Sequence, residues 1–164
     1  MDSTFRLATA ADLPAIVAIY NSTIPSRQVT ADLEPVSVEN RQDWFDAHQT
    51  PRRPLWVLEQ GGEVLGWASL SDFYGRPAYQ GTAELSVYLR EDCRGRGLGR
   101  RLLDEALERA PALGIDTLLG FIFGHNLPSL TLFERYGFSR WGTLPAVAEL
   151  DGVKRDLIIV GRRV

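Results

Sequence analysis

The chain has one cysteine, Cys93, and two histidines, His48 and His125, among 164 residues. A lone cysteine excludes an intrachain disulfide, and two histidines far apart in sequence, without paired cysteines, leave a His/Cys metal site short of ligands. No metal is expected. No run of about 18 apolar residues is present, which excludes a transmembrane helix and a membrane partner. The opening "MDSTFRLATA" lacks the basic and apolar regions of a signal peptide, so a cytoplasmic location is expected. Basic charge is not in excess either: 18 Lys and Arg against 21 Asp and Glu give a net charge of −3. That balance argues against nucleic acid as a partner. Repeats, low-complexity tracts and linkers are missing, and 45% apolar with 24% charged residues is the balance of a globular chain. One domain over 1–164 is expected.

What is there begins with "EDCRGRGLGRRLLDEALERA", residues 91–110. From Leu98 onward, Leu102, Leu103, Ala106, Leu107 and Ala110 recur as one buried helical face, predicting a helix over 98–113. Three glycines and four arginines crowd its start. Helical glycine costs roughly 0.5–1 kcal/mol relative to alanine, and cations at a helix N-terminus oppose the macrodipole by about 0.3–1 kcal/mol each. The glycines alone fit a turn equally well. With Arg94, Arg96, Arg100 and Arg101 included, an anion site is favoured: Gly95, Gly97 and Gly99 open the backbone, and the arginines add charge-assisted contacts.

The remaining pattern predicts an α/β domain with a mixed sheet. A strand over 4–9 leads, through a Thr9/Asp12 capping box, into a helix with Leu13, Ile16, Val17 and Tyr20 inward. Residues 25–36 read as a loop and 37–49 as a helix ended by Pro51 and Pro54. Strands over 54–60 and 63–71 flank a Gly61-Gly62 turn, and 83–90 continues an antiparallel series. After the 98–113 helix come a buried strand over 115–123, a helix opened by Asn126, and two strands about Asp151-Gly152, a preferred type I′ pair. Pro145 predicts an irregularity in the first of these.

The anion is not nucleotide of the commonest kinds. A Walker A loop needs Gly-Lys-Ser/Thr, which is missing, and Gly95-Arg96-Gly97-Leu98-Gly99-Arg100 breaks the Gly-x-Gly-x-x-Gly fingerprint at its last place, after a hairpin series. Arg94-x-x-Gly97-x-Gly99 instead resembles the Arg/Gln-x-x-Gly-x-Gly/Ala signature of the GCN5-related N-acetyltransferases. Asn126-x-x-Ser129, Leu132-Phe133 and Gly137-Phe138 resemble a second signature of that family. The element order β-α-α-β-β-β-α-β-α-β-β matches its fold, a mostly antiparallel mixed sheet of about seven strands with about four helices. The resemblance implies acetyl-CoA as co-substrate. Arg94, Gly95, Arg96, Gly97, Leu98, Gly99 and Arg100 would hold its pyrophosphate, and Asn126 and Ser129 its pantetheine side. Backbone N–H groups around Val87, Tyr88 and Leu89 would face the thioester.

A longer stretch, residues 76–88, is similar to the Arg-Asn-Ala-Tyr-x-x-Thr-x-Glu-x-x-Val-Tyr segment of phosphinothricin and methionine sulfoximine acetyltransferases. It implies a small amino-acid-like amine as substrate, contacts from Arg76, Tyr79 and Glu84, and a homodimer. The chemistry asks for a base, because an amine is mostly ammonium near neutral pH and attacks a thioester only when uncharged. Glu84 is that candidate: in "AELSVYL", burial would raise its pKa toward the working range. Periodicity alone favours an outward-facing glutamate there; the resemblance assigns it as base. Arg76, on the loop before that strand, offers paired donors suited to a carboxylate. Phe133 departs from the family, which often has tyrosine, or histidine in this branch, to protonate the departing thiolate. Tyr136 and His125 are the possible substitutes. Ala31 and Lys154 also depart, replacing an aromatic wall and a tryptophan. An alternative reading is a catalytically weak acyl-CoA-binding module.

Overall fold

The computed structural model of the protein describes residues 2–164. The chain opens with β1 (Ser3–Leu7), whose Arg6 holds the Asp12 carboxylate at 2.8 Å. That carboxylate also accepts from the Thr9 N–H at 2.8 Å, so the expected cap is present, but it opens a 3₁₀ turn at 10–12 before α1 (Leu13–Ser22). The Ser37 hydroxyl caps α2 (Val38–Ala47), accepting from the Asn40 N–H at 3.1 Å. The helix stops before either proline, and Gln49–Thr50 forms a short strand, β2, that the sequence reading missed. β3 (Arg53–Gln60), β4 (Glu63–Asp72) and β5 (Thr82–Leu89) follow as an antiparallel series.

α3 (Leu98–Arg109) is shorter than predicted. Pro111 has no N–H to give and turns 111–113 into a separate 3₁₀ turn. β6 (Thr117–Phe123), α4 (Leu127–Arg135), β7 (Ser139–Leu150) and β8 (Val153–Arg163) complete the chain. The β7–β8 turn has positive φ at both central residues, 52° at Asp151 and 80° at Gly152, as a type I′ pair requires. The irregularity expected at Pro145 is a register shift between Leu144 and Ala148.

Alternation along the strands sorts two cores. Trp56 and Leu58 of β3, Ala68 and Leu70 of β4, and Leu85 of β5 meet Leu98, Leu102, Leu103 and Ala106 of α3. Leu55 and Val57 of β3 and Trp67 of β4 meet Leu13, Ile16 and Val17 of α1 and Phe45 of α2. Each fully buried leucine contributes about 1.5–3 kcal/mol. Gly66 lets α3 approach β4: a Cβ there would lie 3.0 Å from a Leu102 methyl and 3.0 Å from the Tyr88 carbonyl. Cys93, the lone cysteine, is free and 0% exposed, packed into the α3 core.

The sheet order is β1-β3-β4-β5-β6-β8-β7, with β2 paired to β3. Among the described residues only β5 and β6 run parallel, and they pair for three positions, Thr82 to Glu84 against Thr117 to Leu119. Beyond Glu84, β5 runs on to Leu89 beside β4 while β6 stays with β8. The sheet therefore opens along one seam, directly after Glu84.

Candidate active site

Three connected spaces follow that seam. Outermost is a groove of about 410 Å³ between the start of α3 and the start of α4, lined by Arg94, Gly95, Gly97, Leu98, Gly99, Arg100 and Ser129. A narrow space of about 90 Å³ lies between the splayed strands, where Glu84, Val87, Asn126, Ser129 and Phe133 meet. On the far side is a cavity of about 210 Å³ walled by Tyr20, Arg41, Trp44, Trp67 and Tyr88. Glu84 lines both of the inner two.

The groove answers the arginine-glycine puzzle. Gly95 and Gly97 both have φ of 77°, a left-handed conformation that side chains resist, and a Cβ at either would project into open space. Gly97 is the N-cap of α3 and offers no side chain. Among the described residues the Leu98, Gly99 and Arg100 N–H groups have no hydrogen-bond partner; the first bond is from the Arg101 N–H to the Gly97 carbonyl, 3.2 Å. Bare N–H groups with room before them fit a phosphate-bearing carrier.

The arginines do not act as one cluster. Arg94 lines the groove while paired to Glu91 at 2.8 Å, and the Arg100 side chain has no partner among the described residues. Arg96 turns away to Gln60 at 3.0 Å, beside the β3–β4 turn. Arg101 reaches back to Ser3 at 2.8 Å and Glu105 at 2.9 Å, tying α3 to β1.

In the seam, the Asn126 side-chain Oδ1 caps α4 by accepting from the Ser129 N–H at 3.3 Å. The Arg90 N–H bonds to Leu65 of β4 at 2.9 Å. Antiparallel alternation then directs the Tyr88 N–H toward β4 and the Val87 and Leu89 N–H groups toward the vacated β6 side. Tyr88, grouped with its neighbours in the sequence reading, presents its ring to the inner cavity instead, stacked on Trp67 at 4.5 Å. Burial pushes its phenol up, so it stays protonated.

The inner cavity has a patterned floor. Cross-strand pairs Trp67–Tyr88, Ser69–Ser86 and Ser71–Glu84 of β4 and β5 all face it. The Glu84 carboxylate makes no hydrogen bond or ion pair among the described residues, and burial alone pushes its pKa up. Arg41 is the one cation lining this cavity among the described residues. It lies 4.6 Å over the Tyr20 ring and 3.2 Å from Asp32.

Arg76 and Tyr79 do not line the cavity; both are exposed on the loop between β4 and β5. Arg53 anchors that loop by donating to the Gln80 carbonyl at 2.8 Å, and its Phe73 stacks 6.5 Å from Phe121 of the seam. Tyr136 and His125 do not reach the seam: the Tyr136 hydroxyl donates to the Arg100 carbonyl at 3.3 Å, and His125 Nε2 to the Arg27 carbonyl at 2.8 Å. Residues 23–37 roof the cleft, bringing Val29 over the seam and Val36 over the cavity. This roof is clamped by Arg27, whose φ is 57° and whose guanidinium reaches Asp151 of the β7–β8 turn at 2.8 Å.

The sequence reading missed Tyr20, Arg41, Trp44, Trp67, Ser69, Ser71 and Ser86. The signal in β4 and β5 was available: polar and aromatic residues at every second place of otherwise apolar strands.

A sheet split along one seam, with bare amides at one end and an unpaired, half-buried carboxylate at the other, suits a transferase taking a group from a phosphate-bearing carrier. The model of the Acetyltransferase (GNAT) family matches residues 16–138. YwnH of Bacillus subtilis, which carries a provisional phosphinothricin acetyltransferase name, is 58% identical over 98% of this chain and 99% of its own. An L-methionine sulfoximine/L-methionine sulfone acetyltransferase of Pseudomonas aeruginosa is 40% identical over 96% of this chain and 92% of its own. The crystal structure of a phosphinothricin acetyltransferase from Sinorhizobium meliloti in complex with acetyl-CoA is 32% identical and superposes with a TM-score of 0.93, covering 100% of this chain and 89% of that one. The chain belongs to the GNAT family, in its phosphinothricin/methionine sulfoximine acetyltransferase branch, and is an acetyl-CoA-dependent N-acetyltransferase.

Proposed function

We propose that the protein acetylates the α-amine of a small amino-acid-like substrate of the phosphinothricin or methionine sulfoximine type, by direct attack, with Glu84 as general base. The observation that carries this reading is the unpaired, burial-raised Glu84 carboxylate at the junction of the seam and the inner cavity. A cavity of about 210 Å³ with aromatic walls suits a compact amine.

Acetyl-CoA, when bound, supplies the acetyl group as a thioester. The Leu98, Gly99 and Arg100 N–H groups and the Arg100 guanidinium would hold its phosphates, with Arg94 beside them; Asn126 and Ser129 would line its path inward. Glu84 takes one proton from the substrate ammonium, freeing the nitrogen lone pair. The Val87 and Leu89 N–H groups face the oxygen that gains negative charge as the carbon–nitrogen bond forms. Phe133 has no proton to give, and Tyr136 and His125 point elsewhere. The second proton lost by the amine nitrogen therefore goes to the departing sulfur, and the proton held by Glu84 returns to solvent.

Arg76 is the proposed reader of the substrate carboxylate. Arg41 is already matched by Asp32, whereas the exposed Arg76 guanidinium has no partner among the described residues. Tyr79 would border the same entrance. We also propose a homodimer, supported by the apolar side chains Trp141, Leu144, Val147 and Val153 exposed on β7 and β8; light scattering on the purified protein tests it.

Thiol release on mixing with acetyl-CoA and a panel of amines tests the activity. Rapid release with L-methionine sulfoximine and release about ten- to a hundredfold slower with its decarboxylated analogue are expected. Acetyl-CoA binding without thiol release for any amine would replace this reading with that of a binding module.

A further inference from the structure

One polar side chain behind the cavity floor has no role in the reaction as drawn. His48, 8% exposed, follows the last turn of α2. Its Nδ1 lies 2.8 Å from the Trp44 carbonyl and its Nε2 lies 2.9 Å from Ser71 Oγ. Ser71 is the direct cross-strand neighbour of Glu84 and lines the same cavity, whereas His48 does not line it. His48 therefore touches this cavity through Ser71 by a hydrogen bond and through Trp44 by a ring contact at 5.0 Å.

Donor and acceptor identities fix the direction of that chain. A carbonyl only accepts, so the ring proton of neutral His48 sits on Nδ1 and Nε2 is a bare acceptor. Ser71 must then donate its single hydroxyl proton to Nε2. Its oxygen keeps its lone pairs and has no proton left for Glu84. The chain ends on a carbonyl, which cannot pass a proton on, so the arrangement holds an orientation rather than relaying protons.

We propose that His48 is a positioning residue, which holds the Ser71 hydroxyl so that its oxygen and the Glu84 carboxylate together form a two-acceptor seat for the ammonium head of the substrate. The inference rests on the reading of the inner cavity as the amine pocket. An ammonium has three donors, and two acceptors at adjacent cross-strand positions suit it. Without His48, the Ser71 hydroxyl turns its proton to the nearest strong acceptor, Glu84. One acceptor of the seat becomes a donor, and a carboxylate lone pair is used up.

The test uses steady-state kinetics of the full-length enzyme with acetyl-CoA and L-methionine sulfoximine, on His48→Leu, His48→Gln, Ser71→Ala and the Leu/Ala double variant. Losing a hydrogen bond to a charged group predicts a rise in amine KM of about tenfold for His48→Leu, with kcat and the KM for acetyl-CoA each within about twofold. His48→Gln, whose amide oxygen accepts from Ser71, restores the amine KM to within about threefold. Ser71→Ala raises it as His48→Leu does, and the double variant is no worse than Ser71→Ala, because both remove one interaction. A helix-capping role for His48 alone would instead lower thermal stability and leave the amine KM in place, and that result overturns the proposal. So does a double variant whose losses add. If His48→Leu does not fold, Ser71→Ala with an unchanged amine KM overturns it equally. If Glu84→Gln abolishes turnover while the His48 and Ser71 variants are silent, this inference alone fails. If Glu84→Gln is also silent, the cavity is not the amine pocket and the parent reading fails with it.

Discussion

The two ends of the cleft are built by opposite means. The carrier end comes from one continuous stretch, 94–100, with the first turn of α4 beside it, and its reagents are backbone N–H groups in an open groove. The acceptor end draws on α1, α2, β4 and β5, and its reagents are half-buried side chains. A backbone-built site is sensitive to φ and to anything that blocks approach, and tolerates side-chain exchange. A side-chain-built site is the reverse: its backbone is ordinary strand and helix, and single atoms decide its chemistry.

The sharpest break in that comparison is Glu84→Gln, which changes one atom at the acceptor end. General-base catalysis is worth about 10²–10⁴-fold, so kcat should fall within that range while calorimetry shows CoA affinity unchanged. In the wild type, kcat/KM should fall with decreasing pH, and its acid limb should lie above 4.5, because burial raises the Glu84 pKa from that value and only the ionised form accepts the proton. An acid limb at or below 4.5 would remove Glu84 from the mechanism.

Next in size, Arg76→Ala should lower kcat/KM for carboxylate-bearing amines by about ten- to a hundredfold and spare their decarboxylated analogues. Arg41→Ala should lower both alike, since Arg41 stacks on Tyr20 and shapes the wall. An inverted result would make Arg41 the carboxylate reader. At the carrier end, Gly97→Asn tests the backbone directly. Asparagine tolerates the left-handed φ, and its side chain would occupy the open space before the amides. CoA affinity should fall about tenfold with the amine KM unchanged; equal losses for both substrates would show that the two ends are not separable.

The smallest expected effect is on stability. The fold raises the Glu84 pKa, so it favours the protonated form; the ionised carboxylate is a burden that sets in as pH rises through the raised pKa. Glu84→Gln should therefore melt no lower than wild type near neutral pH, and slightly higher if anything. A marked drop would mean that Glu84 holds structure as well as protons.

Legibility in the sequence follows the same division. The carrier loop was readable because its glycines and arginines stand against their own local preferences, a signal held within a few residues. So were the caps at Thr9 and Asn126 and the Asp151-Gly152 turn. Arg96 and Arg101 were assigned to the anion by proximity in sequence, but the direction of a side chain depends on neighbours such as Gln60 and Ser3, which local pattern does not contain. The acceptor end was legible only at Glu84. Ser69, Ser71 and Ser86 become a floor because α1 and α2 stand off from β4 and β5 there, and a face acquires its meaning from what packs against it. Tyr20 and Arg41 sit in helices where an aromatic and an arginine are unremarked.

The clamp between Arg27 and Asp151 joins residues 124 positions apart. Contacts of such separation are the slow part of folding, because a long loop must close before they return anything. The roof over the cleft is consequently a product of late assembly. The residues that line the amine cavity lie between 16 and 88, ahead of the carrier loop at 94–100, yet the clamp on the roof needs Asp151, so the walls of the pocket are made first and the partner of Arg27 last.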